Sequence, residues 1–86
     1  MDINSLNSII EKKISQNISC KKIIIEDKTF LHKNHKSHEK NKFHIKLIIK
    51  SDELLKMNRI ESTKKIYKIL DHELKYHIHS IEVLLN

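Results

Sequence analysis

The histidines have the most chemistry to offer in this chain. His32, His35 and His38 recur at every third residue in a polar, lysine-rich stretch, and His79 opens the last β-like segment. A neutral imidazole ligates iron or zinc, and a loop facing a fixed strand is a simple way to bring two imidazoles together. The HxxHxxH spacing does not match a closed tetrahedral zinc site, so structural zinc is not expected. A [2Fe-2S] cluster takes four ligands, usually thiolates, with two histidines replacing two cysteines on one iron in Rieske-type centres. The chain has a single cysteine, Cys20. It could supply two histidine ligands, and a thiol partner would have to bring the others. Cys20 falls in a predicted strand, where a thiol is ordinarily a buried, unreactive group.

Other chemistries are poorly served. Ser51 and Ser80 have histidines within sequence reach, but neither sits in a glycine-flanked elbow. The carboxylate pairs Glu26-Asp27 and Asp52-Glu53 are adjacent in sequence at strand ends, and read as turn and cap residues. No enzyme is expected. The formal net charge of +6 is concentrated, because residues 28–50 carry seven lysines against the single acid Glu39. Such a surface suits nucleic acid or an acidic protein. Lys33, Lys36, Lys40, Lys42 and, further on, Lys64 are the phosphate-binding candidates.

Elements that could position these residues follow from periodicity. Ile3, Leu6, Ile10 and Ile14 are spaced by three and four, which predicts an amphipathic helix to about Ile18, capped by Asn4 or Ser5. Cys20 to Glu26, with Ile23, Ile24 and Ile25 consecutive, predicts a strand covered on both faces. Residues 27 to about 42 lose periodicity and read as a long loop. Phe43, Ile45, Leu47 and Ile49 then alternate with His44, Lys46 and Lys50, predicting a second strand with His44 on its wet face. After a turn at Ser51-Asp52, a stripe of Met57, Ile60, Tyr67, Leu70 and Leu74 predicts a helix over about 58–75. His77, His79, Ile81, Val83 and Leu85 alternate with Ile78, Ser80, Glu82 and Leu84 in a last strand, which puts His79 in the apolar register. The order αββαβ predicts an α+β domain, a three-stranded mixed sheet with its helices on one face.

Length and composition bound the rest. The 86 residues make one domain, 1–86, with a small core. There is no Gly or Pro, so Asn34, Asn41 and Asn58 are the expected φ > 0 turn residues. One cysteine excludes an internal disulfide framework and points to a reducing compartment. Nothing at the start resembles a signal segment, and no apolar run approaches the ~18 residues of a membrane span. The reading is cytoplasmic, or mitochondrial had a targeting segment been removed. The αββαβ order is that of a type II KH domain, but KH modules clamp the nucleic-acid backbone with GXXG, which a glycine-free chain cannot supply.

Several segments together resemble the BolA-like family in order and spacing. They are Asp27-Lys28-Thr29-Phe30-Leu31-His32-Lys33-Asn34-His35, His44-Ile45-Lys46, Ser51-Asp52, Tyr67, Leu70, Glu73-Leu74 and Ile78-His79-Ser80-Ile81. The most specific are the first, where the family has an acidic residue, Ser/Thr two on and then HxxH, and the last, which is similar to [V/I]-H-A-[L/I]. The resemblance implies the αββαβ, KH-like sheet without GXXG. It also implies a monothiol glutaredoxin with glutathione as partner, and a bridging [2Fe-2S] cluster that the isolated chain, a monomer, would not hold. His79 and His32 would be the ligands from this side, with His35 in reserve. His44 matches the histidine of the family's SHF-like segment, as structural as it is functional, while His38, His72 and His77 read as solvated. Ser62-Thr63-Lys64 stands where the family has an RHR-type motif, and Leu54-Leu55-Lys56 replaces FxG. These departures weaken a nucleic-acid role built on that helix start. The expected function is a non-enzymatic adaptor in iron–sulfur cluster trafficking; the alternative is a KH-like DNA-binding transcriptional regulator.

Overall fold

The computed structural model describes residues 2–29 and 42–86. The first helix, α1, spans Ile3–Asn17 and buries Leu6, Ile10 and Ile14, the stripe seen in the sequence. Its cap is Asp2, not Asn4 or Ser5: the Asp2 carboxylate accepts the Ser5 N–H at 2.8 Å. A carboxylate there also faces the positive end of the helix.

Strand β1 is Lys22–Asp27, so Cys20 lies ahead of it, half-buried, rather than within it. The three isoleucines are not covered on both faces. Ile23 and Ile25 pack against the core, whereas Ile24 is 36% exposed on the opposite side. Strand β2, Phe43–Lys50, is central, antiparallel to β1 and parallel to β3, Ile78–Leu85. Ile45, Leu47 and Ile49 of β2 are buried and share one cluster with Leu6, Ile10 and Ile14 of α1. On the other face Ile24, Ile48 and Leu84 line up across the three strands. One face is thus core and the other borders water, as in the mixed α+β sheet the sequence implied.

Between β2 and β3 the chain forms three helical pieces: α2 at Asp52–Leu55, α3 at Arg59–Ile69 and α4 at Asp71–Tyr76. Ser51 is buried and caps α2, its Oγ accepting the Leu54 N–H while donating to the Ser19 carbonyl at 2.7 Å. Asn58 is not a φ > 0 turn residue. Its φ is −71°, and its side chain accepts the Glu61 N–H to cap α3. No described residue has a positive φ, and Asn34 and Asn41 lie outside the described residues.

The single helix expected over 58–75 is broken at Leu70, whose ψ of 18° departs from helical backbone. The break re-aims the last turn so that the buried Glu73 meets Lys13 of α1, whose Nζ donates to both carboxylate oxygens at 2.8 Å. The inward face of α3 also differs from the expected stripe. Ser62 and Ile66 are its buried residues, while Ile60 and Tyr67 are 69% and 42% exposed. A serine can face the core because its hydroxyl donates to the Arg59 carbonyl at 3.0 Å.

Candidate functional site

The site lies where β3 begins beside β2. Phe43 pairs with Ile78, but the next residue of β2, His44, pairs with Ser80, so β3 carries one extra residue there, His79. Such an irregularity switches the face a strand presents. Ile78 is therefore buried at 2% exposure and His79 is exposed, although strict alternation put His79 in the apolar register with Ile81, Val83 and Leu85. His77 precedes the strand and is half-buried rather than solvated.

The expectation for His44 also needs correcting. That residue is 4% exposed instead of facing water. Its ring packs on the His79 ring, with centroids 4.8 Å apart and planes tilted by 50°. Its Nδ1 lies 2.7 Å from the Ser80 Oγ. Neutral imidazole can be donor or acceptor at that nitrogen, and hydroxyl can match either role. Beside this one-residue shift of register, one exposed and one buried histidine are in contact.

The root of the long segment between β1 and β2 is fastened to the same place. The Lys28 N–H donates to the His44 carbonyl at 2.7 Å, and the His44 N–H donates to the Thr29 Oγ1 at 3.2 Å. Thr29 is itself turned back by Asp27, whose Oδ1 accepts from both the Thr29 N–H and its hydroxyl. The acidic residue and the threonine two positions on therefore have a visible task. They form an Asx-type turn whose threonine oxygen meets the backbone of His44. At the other end, the Phe43 N–H donates to the His77 carbonyl at 2.9 Å.

His32, His35, Lys33, Lys36 and Lys40 lie outside the described residues, as does His38. Lys42 is half-buried just before β2, and Lys64 is exposed on α3 beside Arg59, Ile60, Thr63 and Tyr67. His72 sits apart on α4, its ring 4.9 Å from Tyr76 and 5.8 Å from His77. Among the described residues no three His, Cys, Asp or Glu side chains come together to hold a metal ion. Cys20 is not near the histidine pair in any described contact. Burial pushes its thiol pKa up, and the Glu53 charge adds to the shift, so it is a poor thiolate. Ser80, weighed in the sequence only as a nucleophile and set aside, is the residue that holds His44. Its partnership with His44 exists only because of the register shift, which the alternation of residues 77–85 does not announce.

Taken together, these features describe a small sheet domain: a helix-backed mixed sheet that presents one strand histidine beside the root of a histidine-bearing segment. A family model described as BolA-like protein matches residues 14–85, and the chain belongs to the BolA-like family. A curated relative, the DNA-binding transcriptional regulator BolA of Haemophilus influenzae, is 28% identical over 81 residues, which span 94% of this chain and 76% of that protein. Among solved structures, the BolA domain of SufE1 from Arabidopsis thaliana superposes with a TM-score of 0.77 at 21% identity, covering 100% of this chain and 93% of that one. BolA1 from Arabidopsis thaliana gives 0.75 at 21% identity, over 92% and 87% of the two chains. At these identities the structural likeness speaks for the fold.

Proposed function

We propose that this protein is a non-enzymatic adaptor that binds a monothiol glutaredoxin and co-ligates a bridging [2Fe-2S] cluster through His79 and a histidine of the 30–41 segment, His32 or, in reserve, His35. One observation carries the reading. His79 is exposed at the start of a hydrogen-bonded strand, against His44, and Thr29, the last described residue before that segment, is bonded to the His44 backbone. His32 follows Thr29 by three residues, a length of chain that spans at most about 10 Å. Two neutral imidazoles fill half of a cluster's ligand shell, and the donor type fits a Rieske-like iron. The partner's cysteine and a bound glutathione would complete it.

The test is reconstitution of the mixture of this chain, a monothiol glutaredoxin, glutathione, iron and sulfide, followed by gel filtration with visible absorbance. A coloured species containing both proteins is the expected result. Colour confined to the glutaredoxin, with this chain eluting colourless and alone, contradicts the proposal.

A second reading, a DNA-binding regulator, is favoured by the name of the Haemophilus relative and by the lysines Lys33, Lys36, Lys40, Lys42 and Lys64. It is distinguished by salt. Steep loss of DNA affinity with salt and no sequence preference would mark phosphate contacts alone, whereas a preferred sequence retained at physiological salt would support regulation.

A further inference from the structure

The geometry points to His44 as the positioning residue of His79: held by Ser80, it forms a wall that fixes the His79 imidazole in one orientation before any partner arrives. This rests on the reading of His79 as a cluster ligand and adds what makes that ligand ready. An exposed histidine on a strand can occupy several staggered χ1 wells and a broad range of χ2. His79 is exposed, yet one side of its ring is closed off by a ring that is itself 4% exposed and cannot swing freely. The Ser80 Oγ, 2.7 Å from its Nδ1, holds the His44 ring, while the Thr29 Oγ1, which accepts its N–H, and the Lys28 N–H, which donates to its carbonyl, fix the backbone beneath it.

His44 is placed to position and not to ligate. Its Nδ1 is engaged with Ser80 and its ring is buried, so a cluster presented by a separate protein meets the His79 ring first. The register shift places Ser80, and not His79, opposite His44. The serine thus anchors the wall while its neighbour leans on it. Orienting partners of this kind keep a metal ligand in its productive rotamer, and losing one typically costs a metal site ten- to a hundredfold in affinity.

The test begins on the free protein by NMR. In the wild type, ring-to-ring NOEs between His44 and His79 and χ1 couplings of His79 from a single rotamer are expected. Ser80→Ala should weaken those NOEs and move the couplings toward the rotamer average. His44→Leu should complete the averaging, and His44→Phe, which keeps a ring face without a ring nitrogen, should restore part of the order. Backbone amide protection in β2 and β3 should stay unchanged in Ser80→Ala, which separates ring orientation from loss of the sheet. With a monothiol glutaredoxin, the mixed cluster should be lost about tenfold faster from Ser80→Ala or His44→Leu than from wild type. Single-rotamer couplings that survive unchanged in Ser80→Ala and His44→Leu would overturn the inference. Should His44→Leu not fold, Ser80→Ala decides alone, since Ser80 is exposed and its removal leaves the core intact. A wild type with an ordered His79 ring but no mixed cluster would refute the adaptor reading and leave the positioning role standing.

Discussion

Removing Lys13 should destabilise the fold far more than removing an ordinary surface lysine. Glu73 is 2% exposed, and both of its carboxylate oxygens lie 2.8 Å from the Lys13 ammonium, which joins α1 to α4. Deleting one member of a fully buried pair costs about 3–5 kcal/mol, because the other charge is left without compensation. The Lys13 side chain is 37% exposed, against 3% for Glu73. Water can therefore reach the vacated position, and the expected loss for Lys13→Ala falls to about 2–3 kcal/mol. For a domain of this size that is roughly a 10–20 °C fall in Tm. Urea unfolding followed by circular dichroism gives the value directly, with m compared to confirm that the two states are unchanged. The double variant Lys13→Met/Glu73→Leu supplies the control. It should lie closer to wild type than Lys13→Ala does, because two apolar side chains leave no charge stranded. A loss below about 0.5 kcal/mol for Lys13→Ala, the range of exposed pairs, would refute the reasoning.

Three further outcomes are expected. Asn58→Ala should cost about 1 kcal/mol in the same urea assay, since its side chain caps α3 through the Glu61 N–H; no change would mean the cap is dispensable. The Glu53 carboxyl is held below its ordinary value of 4.5, chiefly by the Lys65 ammonium and then by the Ser19 N–H. A depressed folded pKa contributes stability above the unfolded value that is lost as pH falls through the folded one, so Glu53→Gln should flatten the decline in stability below about pH 4.5, and an unchanged acid limb would contradict this. Cys20, its thiol pKa raised by burial and by Glu53, should react with iodoacetamide at pH 8 more slowly than a free cysteine peptide, and Glu53→Gln should speed it; a rate equal to the peptide's would count against the assignment.

The parts of the fold that were legible in the sequence are those governed by one clear period. Leu6, Ile10 and Ile14 in α1 and Ile45, Leu47 and Ile49 in β2 all lie in the core as their spacing implied. Local chemistry that competes with periodicity was harder to read. Asn58 reads as a glycine substitute in a glycine-free chain, yet a side-chain oxygen one residue ahead of a helix caps it equally well. Ile23-Ile24-Ile25 looks doubly buried, but a sheet backed by helices on one side leaves its middle isoleucine facing water. The break at Leu70 has no proline or glycine to mark it. The site divides in the same way. A motif singled His79 out in the sequence, but the turn that Asp27 and Thr29 form was read only as the start of a long loop. The contact of His44 with His79 was not legible, because it depends on one extra residue in β3 that strict alternation does not announce.

The proposal that His79 ligates a cluster shared with a glutaredoxin can be tested at that residue. Its most direct test is the visible circular dichroism of the reconstituted mixture of a monothiol glutaredoxin, glutathione, iron and sulfide with either the wild-type chain or His79→Ala. Wild type should give a spectrum distinct from that of the glutaredoxin alone, and His79→Ala, still folded by far-ultraviolet dichroism, should leave only the glutaredoxin's own spectrum. A folded His79→Ala protein that gives the same mixed spectrum as wild type would contradict the proposal.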